Sequence, residues 1–489
     1  MVVYGIFLLA YVAIRANALS FTYDEIVSYN TMLHFSPLSI GLNANNHILN
    51  TYLMKISYAC LGFSEFALRF PNVLSFPIYF YGAFSISKHL LACFRLPTIV
   101  LLTAMPFVID FFSLARGYGI GLGLMLFSLA CLLNFQTTSR ILWAFFGIVS
   151  AALAVMANFT FLNYFLPYLA ILVVIATISS LPNKHKLLYV ACVVGLAISF
   201  LYSILSFMLA LKKAGHLYFG GHKNFFSDTI LSLGNCFGYM SAYNYAAQIF
   251  FAAIFLASIA LALFKLLIIL KERKLDIFGG IALIFLLSML SVIAQNLLLQ
   301  TPLPVERTAI LFYPLMILNL ILGLSATHWK GSRSISQGIS IVFLLHFIAN
   351  INFTHCYSWR YDSGTKAALL HLESLNLAEV NLGIDYFNNP SVTFYKQKLG
   401  FINLNPKVIA DSWEYPLGLE ELNPYYYGKD NICYPNMPFD IRKVIVPECN
   451  YYYLDRFFAD EFKKTNISFT ILFESPDSRS VLMQLKGKD

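Results

Sequence analysis

Residues 17–30 read NALSFTYDEIVSYN. An apolar run over residues 2–19 closes here, and two acids, Asp24 and Glu25, follow side by side. The fold turns on what that run is. It reads as a retained membrane helix rather than a cleaved signal. The acids then stand where a helix leaves the bilayer.

Composition supports that reading. The 489 residues are 58% hydrophobic and 16% aromatic, and only 12% are charged. Soluble domains carry about 25% charged residues. So little polar surface cannot cover a chain of this size in water, and most of it belongs in lipid. The net charge of +8, from 33 basic and 25 acidic residues, is modest and dispersed. It lacks the basic face that nucleic-acid binding needs. It suits a protein beside anionic lipid, oriented by its Lys and Arg. The eight cysteines form no CxxC pair and no zinc-ligand spacing.

Apolar stretches of about 17–25 residues mark membrane helices. They fall near 2–19, 71–88, 97–112, 117–135, 141–157, 160–178, 187–211, 246–270, 277–298, 307–326 and 336–351. The third is short for a crossing. Alternate loops carry Lys88 with Arg95, Arg140, Lys184 with Lys186, Lys271 with Arg273 and Lys274, and Lys330 with Arg333. If the spans simply alternate, that set lies on one side, which is then cytoplasmic. The N-terminus is inside, and segment 20–70, loop 212–245 and everything after residue 351 are outside. Residues 47–60 carry an apolar stripe at helical spacing and suit a helix lying in the interface.

The expected architecture is an α-helical polytopic membrane protein of about eleven transmembrane helices. Residues 1–351 form the membrane module, and 352–489 form a small extracytoplasmic α/β domain. In that tail, strand-like runs (VNLGI, KVIVP, SFTILF, SVLMQL) accompany a helical pattern at 365–375. Cys433 and Cys449 lie in it, and an oxidising compartment permits a disulfide between them. The expected location is the inner cell membrane.

Ionisable groups at the expected outer helix ends are Asp24, Glu25, His47, Lys55, Arg69, Asp110, Arg116, Glu306 and Arg307. Groups at that depth usually face a water-filled cavity. Asp24 and Glu25 either cap a helix, since acids favour its first turn, or supply a general base for an acceptor hydroxyl. Neighbours on a helix point about 100° apart, so only one can aim at a reacting atom, and Asp24 is favoured. Asp110 either pairs with Arg116 or acts as a second acid. Arg116 suits a phosphate. Arg307 either snorkels or stabilises a leaving phosphate. Glu306 stands beside it. His47, in NNHILN, suits a hydrogen bond to an acceptor or a metal. The glycines at 117, 119, 121 and 123 read as small faces for close helix packing.

P-loop, Rossmann, GxSxG and HExxH patterns are absent, as is an acidic DxD pair for a nucleotide–metal complex. No metal centre or cofactor is expected. An outer site would draw its activated substrate from the membrane.

The acid pair after the first span, GFSEFALRFPNVL entering the second, and FFSLARGYGIGL between the third and fourth together carry a resemblance. The chain resembles the lipid-phosphate-sugar-dependent glycosyltransferases of the GT-C fold, the superfamily of protein mannosyltransferases and bacterial lipid A aminoarabinose transferases. That resemblance implies Asp24 as catalytic base with Glu25 beside it, and Asp110 as a second acid. It implies Arg116 and Arg307 on the donor phosphate, while His47, Lys55, Arg69 and Glu306 are read as lining the cavity from their place at the outer helix ends. Many relatives carry a Pro-Pro-Leu-Tyr type stretch where this chain has NNHILNTYL. The implied donor is a polyprenyl-phosphate-linked sugar, and the implied acceptor is a glycan, lipid or protein. The rival reading is a transporter or lipid-linked glycan flippase, which predicts inverted repeats and broken helices. No repeat stands out.

Overall fold

The computed structural model describes residues 1–34, 47–178, 183–215, 219–327, 329–384, 388–408, 448–463, 467–478 and 480–486. Cys433 and the KVIVP run lie outside the described residues.

Fifteen helices precede residue 352 among the described residues. They are α1 (Val2–Ala18), α2 (Tyr23–Leu33), α3 (Ile48–Leu61), α4 (Glu65–Ser87), α5 (Ala92–Thr103), α6 (Pro106–Asp110), α7 (Gly117–Thr138), α8 (Ile141–Ala157), α9 (Leu162–Ile178), α10 (Asn183–Lys213), α11 (Ser232–Gly238), α12 (Asn244–Glu272), α13 (Ile277–Leu299), α14 (Phe312–Ala326) and α15 (Ser332–Ala349). Each apolar run of the sequence overlaps one of these helices or, at 97–112, the pair α5 and α6. Six helical stretches are by themselves long and apolar enough to cross a membrane: 117–138, 159–178, 193–213, 244–272, 277–299 and 332–349. Helices α1 and α2, bent by 78° at the break between them, pass the same test as one span, which makes up to seven among the described residues. Helices α5, α8 and α14 are apolar but shorter.

The 97–112 run is broken for a local reason. Pro106 has no N–H to continue a helix from α5, and its ring would clash with the preceding turn. It sits instead in the first turn of α6, where a proline is tolerated. Met105 before it is extended.

The helices divide into two compact units. The first comprises Met1–Ala16, Thr31–Cys60 and Leu68–Ile351. At its centre, every residue of α14 from Phe312 to Leu324 is buried. Helix α10 instead exposes Leu196, Ile198, Tyr202, Leu205 and Leu209, and α12 exposes Leu256, Leu263, Phe264, Leu267 and Leu270. In water such stripes would be aggregation surfaces; in a bilayer they face lipid at no cost. Helix α3 buries Asn50, Thr51, Met54 and Ser57 and exposes Tyr52, Lys55 and Ile56. Its polar edge is inside and much of its apolar edge outside, as for a helix beside lipid.

The second unit comprises Asn17–Asn30, Leu61–Ala67 and Asn352–Asp489. It holds α16 (Thr365–Ser374), β1 (Val380–Ile384), α17 (Asn389–Leu399), β2 (Leu404–Val408), β3 (Tyr451–Asp455), α18 (Arg456–Lys463), β4 (Phe469–Glu474) and β5 (Ser480–Leu485). The strands form one mixed sheet in the order β2-β1-β3-β5-β4. β1 runs parallel to β2 and β3, and β5 runs antiparallel to β3 and β4. Cys449, Tyr452, Leu454, Phe462, Val481 and Met483 fill one core cluster beneath it.

Candidate functional site

The first unit gathers cationic and polar groups around the turn before α7. Arg116 precedes α7 in extended conformation and is 1% exposed. Polar side chains from two other helices hold the turn: Asn50 Nδ2 donates to the Ala115 carbonyl at 3.1 Å, and Asn72 Nδ2 donates to Asn50 Oδ1 at 2.8 Å. Gly117 lets the turn close. A Cβ there would lie 1.8 Å from the Ala157 carbonyl oxygen, closer than any side chain can come.

His47, just before α3, binds that same carbonyl. Its Nδ1 lies 3.0 Å from Ala157 O. A carbonyl only accepts, so Nδ1 carries the proton and Nε2 presents its lone pair. Nε2 is buried and meets no hydrogen-bond partner among the described residues. Burial, then the charge of Arg116 and that of Arg307, holds the imidazole well below its usual pKa. The ring is therefore a neutral acceptor at physiological pH.

Arg307 lies in the turn 306–309 before α14 and is 8% exposed, its guanidinium 4.4 Å from the centroid of the Phe219 ring. Glu306 adopts a left-handed φ of 46°, costly for a residue with a Cβ. Its N–H donates to Ser232 Oγ at 3.0 Å. Burial pushes its carboxyl up to about 7, against the opposing pull of Arg307.

Asp110 ends α6, and its carboxylate is gripped by two groups. Arg15 Nη1 of α1 lies 2.5 Å from Oδ1. The Tyr239 hydroxyl donates to Oδ1 and Oδ2 at 2.9 and 3.0 Å. Tyr239 itself sits in a left-handed conformation after α11. Arg69 is fully buried and donates to the Ala16 carbonyl at 3.0 Å, closing the C-terminal end of α1. Lys55 lies on the exposed side of α3.

The second unit carries the acid pair. The Thr22 carbonyl accepts the first intrahelical bond of α2, from Ile26 N–H, so Thr22 is its N-cap. Glu25, three residues on, accepts from the Thr22 amide at 3.0 Å. This is one half of a capping box, and TYDE at 22–25 is its sequence signature. Glu25 is thus tied to its own helix start, with no exposed surface, while Asp24 beside it is 6% exposed.

The segment before α2 is bound to the tail. Tyr395 of α17 accepts from Phe21 N–H at 2.7 Å, and Ser20 Oγ accepts from Lys366 N–H at 3.1 Å. Asp362 Oδ2 accepts from Tyr23 N–H at 2.7 Å, and Ser391 Oγ donates to Asp362 Oδ1 at 2.8 Å. Asp362 is fully buried. Burial pushes its carboxyl up to about 8; its two hydrogen bonds oppose the rise, and the charges of Asp24 and Glu25 add to it. Phe21 and Phe394 stack at 4.6 Å. Glu65, at the start of α4, pairs with Lys366 at 3.1 Å and with Lys398.

Sequence reasoning gave no role to Arg15, Tyr239 and Asp362. The first is an arginine inside an apolar run, which is itself a signal. The other two have no local mark.

These features define a multi-pass helical membrane protein with a small mixed-sheet domain. Two solved structures share that fold. ArnT from Cupriavidus metallidurans in the apo state is 11% identical, with a TM-score of 0.52, over 99% of this chain and 97% of that one. ArnT from Cupriavidus metallidurans bound to undecaprenyl phosphate is 12% identical, with a TM-score of 0.53, over the same shares. At that identity the likeness is one of fold. No family model matches the sequence, and no curated protein matches it.

Proposed function

We propose that the chain is an integral membrane glycosyltransferase with about eleven crossings, acting at the outer face of the cell membrane. It moves a sugar from a polyprenyl phosphate to an acceptor hydroxyl with inversion. Asp24 takes the hydroxyl proton. The acceptor oxygen attacks the anomeric carbon, and the bond from that carbon to the phosphate oxygen breaks. The phosphate leaves with the electron pair, its charge met by Arg116 and Arg307. One displacement inverts the centre, and no covalent enzyme intermediate forms. His47, held neutral, accepts a hydrogen bond from a sugar or acceptor hydroxyl rather than competing for phosphate.

The observation that carries this reading is the pair of buried guanidiniums, Arg116 and Arg307. They come from distant segments and both act on the neutral His47. A fold shared with a protein solved with undecaprenyl phosphate bound adds to it. A phosphate suits such a pair, because a guanidinium donates to its oxygens through a planar fork.

The test is genetic and chemical. Surface glycans, glycolipids and glycoproteins of a deletion strain are compared with those of its parent, then after complementation with wild-type or Asp24→Asn protein. One sugar residue should disappear on deletion and return only with the wild type. Full restoration by Asp24→Asn would remove the mechanism.

A further inference from the structure

We propose that the C-terminal domain is the mount of the proposed base, and that Asp362 is the positioning residue that holds the first turn of α2 where Asp24 can work. This rests on the reading of Asp24 as the base. Two of the contacts are to the segment's own backbone, which is what fixing it requires. Three consecutive attachments run along residues 20–23: Lys366 N–H to Ser20 Oγ, Phe21 N–H to Tyr395 and Tyr23 N–H to Asp362. Phe394 stacks on Phe21 and meets Tyr29 edge-on at 5.6 Å, so apolar contact also holds the residue before the cap and the second turn of α2.

Asp362 takes one of the amides that a helix start leaves unpaired. A carboxylate there would also favour the positive end of the helix. Facing Asp24 and Glu25, however, it is held protonated by burial and by their charges. It therefore orients the turn without adding a third negative charge beside the base. The groups that bear on it are Asp24 and Glu25 from α2, the Tyr23 amide and Ser391 from α17.

The experiment uses the full chain in lipid nanodiscs, with two variants at one position. Asp362→Asn keeps an oxygen for the Tyr23 amide and stays neutral, so kcat should remain within about threefold of wild type. Asp362→Ala removes the acceptor. It should lower kcat at least tenfold, leave KM for the polyprenyl-phosphate sugar unchanged, and speed amide exchange at residues 22–26 while exchange in β1 and β5 holds. Unchanged kcat and exchange in Asp362→Ala would overturn the proposal. So would exchange rising equally through the sheet, or Asp362→Asn failing to retain activity. If wild-type protein transfers no sugar, the glycosyltransferase reading falls by itself, and exchange at 22–26 still decides whether Asp362 holds the turn.

Discussion

Asp110 and Asp24 are both buried acids at helix ends, and their surroundings are opposite. Asp110 is closed by a guanidinium at 2.5 Å and a tyrosine hydroxyl, so its charge is spent on holding α1, α6 and the segment after α11 together. Asp24 stands in an acid-rich region, beside Glu25 and with Asp362 held protonated nearby. That contrast sets Asp110 in the architecture and leaves Asp24 as the proposed base.

Exchanging each acid for its amide tests that division. Asp24→Asn should cost the largest effect, a loss of kcat on the order of a thousandfold or more, the equivalent of about 4 kcal/mol. Thermal stability and undecaprenyl phosphate binding should change little. Asp110→Asn should do the reverse. It leaves Arg15 buried without its counter-charge and should destabilise the protein by about 3–5 kcal/mol, read as lost detergent-solubilised yield and a lower unfolding temperature. The double change Arg15→Met with Asp110→Leu should recover much of that stability, because apolar residues can replace a buried ion pair. An Asp110→Asn protein that is stable but inactive would reverse the assignment.

The two arginines take the next largest effect. Arg307→Gln should weaken binding of undecaprenyl phosphate by roughly tenfold to a hundredfold, since charge-assisted hydrogen bonds are worth about 1.5–3 kcal/mol. Arg307→Lys should recover only part, because a point charge lacks the planar fork. Binding to purified protein in nanodiscs measures both.

The pH dependence of stability sharpens the contrast from the acid-rich side. The Asp362 carboxyl is raised from 3.8 to about 8 in the folded chain. Between those values the folded state holds a proton that the unfolded state releases. Stability therefore falls as pH climbs through that window and levels off above it. Asp362→Asn should flatten this slope in unfolding temperature measured from pH 5 to 9.

What was legible in the sequence follows from range. Helices α1, α8 and α13 follow their apolar runs to within a residue or two because bilayer thickness sets an apolar length. SVLMQL coincides with β5. The capping box at 22–25 was also readable, and its Glu separates the roles of the two acids. The partners were not. Tyr23 and Asp362 are 339 positions apart, and Asp110 and Tyr239 are 129 apart. No local period or motif encodes such a pairing. The sequence reading offered Arg116 as a partner of Asp110 because it is near in the chain; the ion pair of Asp110 with Arg15 spans 95 positions. Composition alone does not set the number of crossings: a proline can break a run, and a short buried helix such as α14 looks the same in composition as a lipid-facing one.

Glu306 offers the smallest effect and the finest test of the arginine side. With its carboxyl raised to about 7, it is about half ionised at neutral pH. Its ionised form competes for Arg307 and so loosens any phosphate that Arg307 binds. A lipid monophosphate gains charge over a similar range, its second pKa near 6, so the raw pH profile mixes two titrations of opposite sign. The ratio of wild type to Glu306→Gln removes the ligand's share, because the ligand is the same in both. That ratio should be near one at pH 6. It should fall by about threefold, near 0.7 kcal/mol, by pH 8, where the wild type is ionised and the variant is not. A flat ratio would mean that Glu306 does not share Arg307 with the phosphate. Glu306→Gly would then ask a separate question: a glycine relaxes the left-handed backbone at φ 46° and should raise stability by a few tenths to about 1 kcal/mol, the scale of that steric penalty.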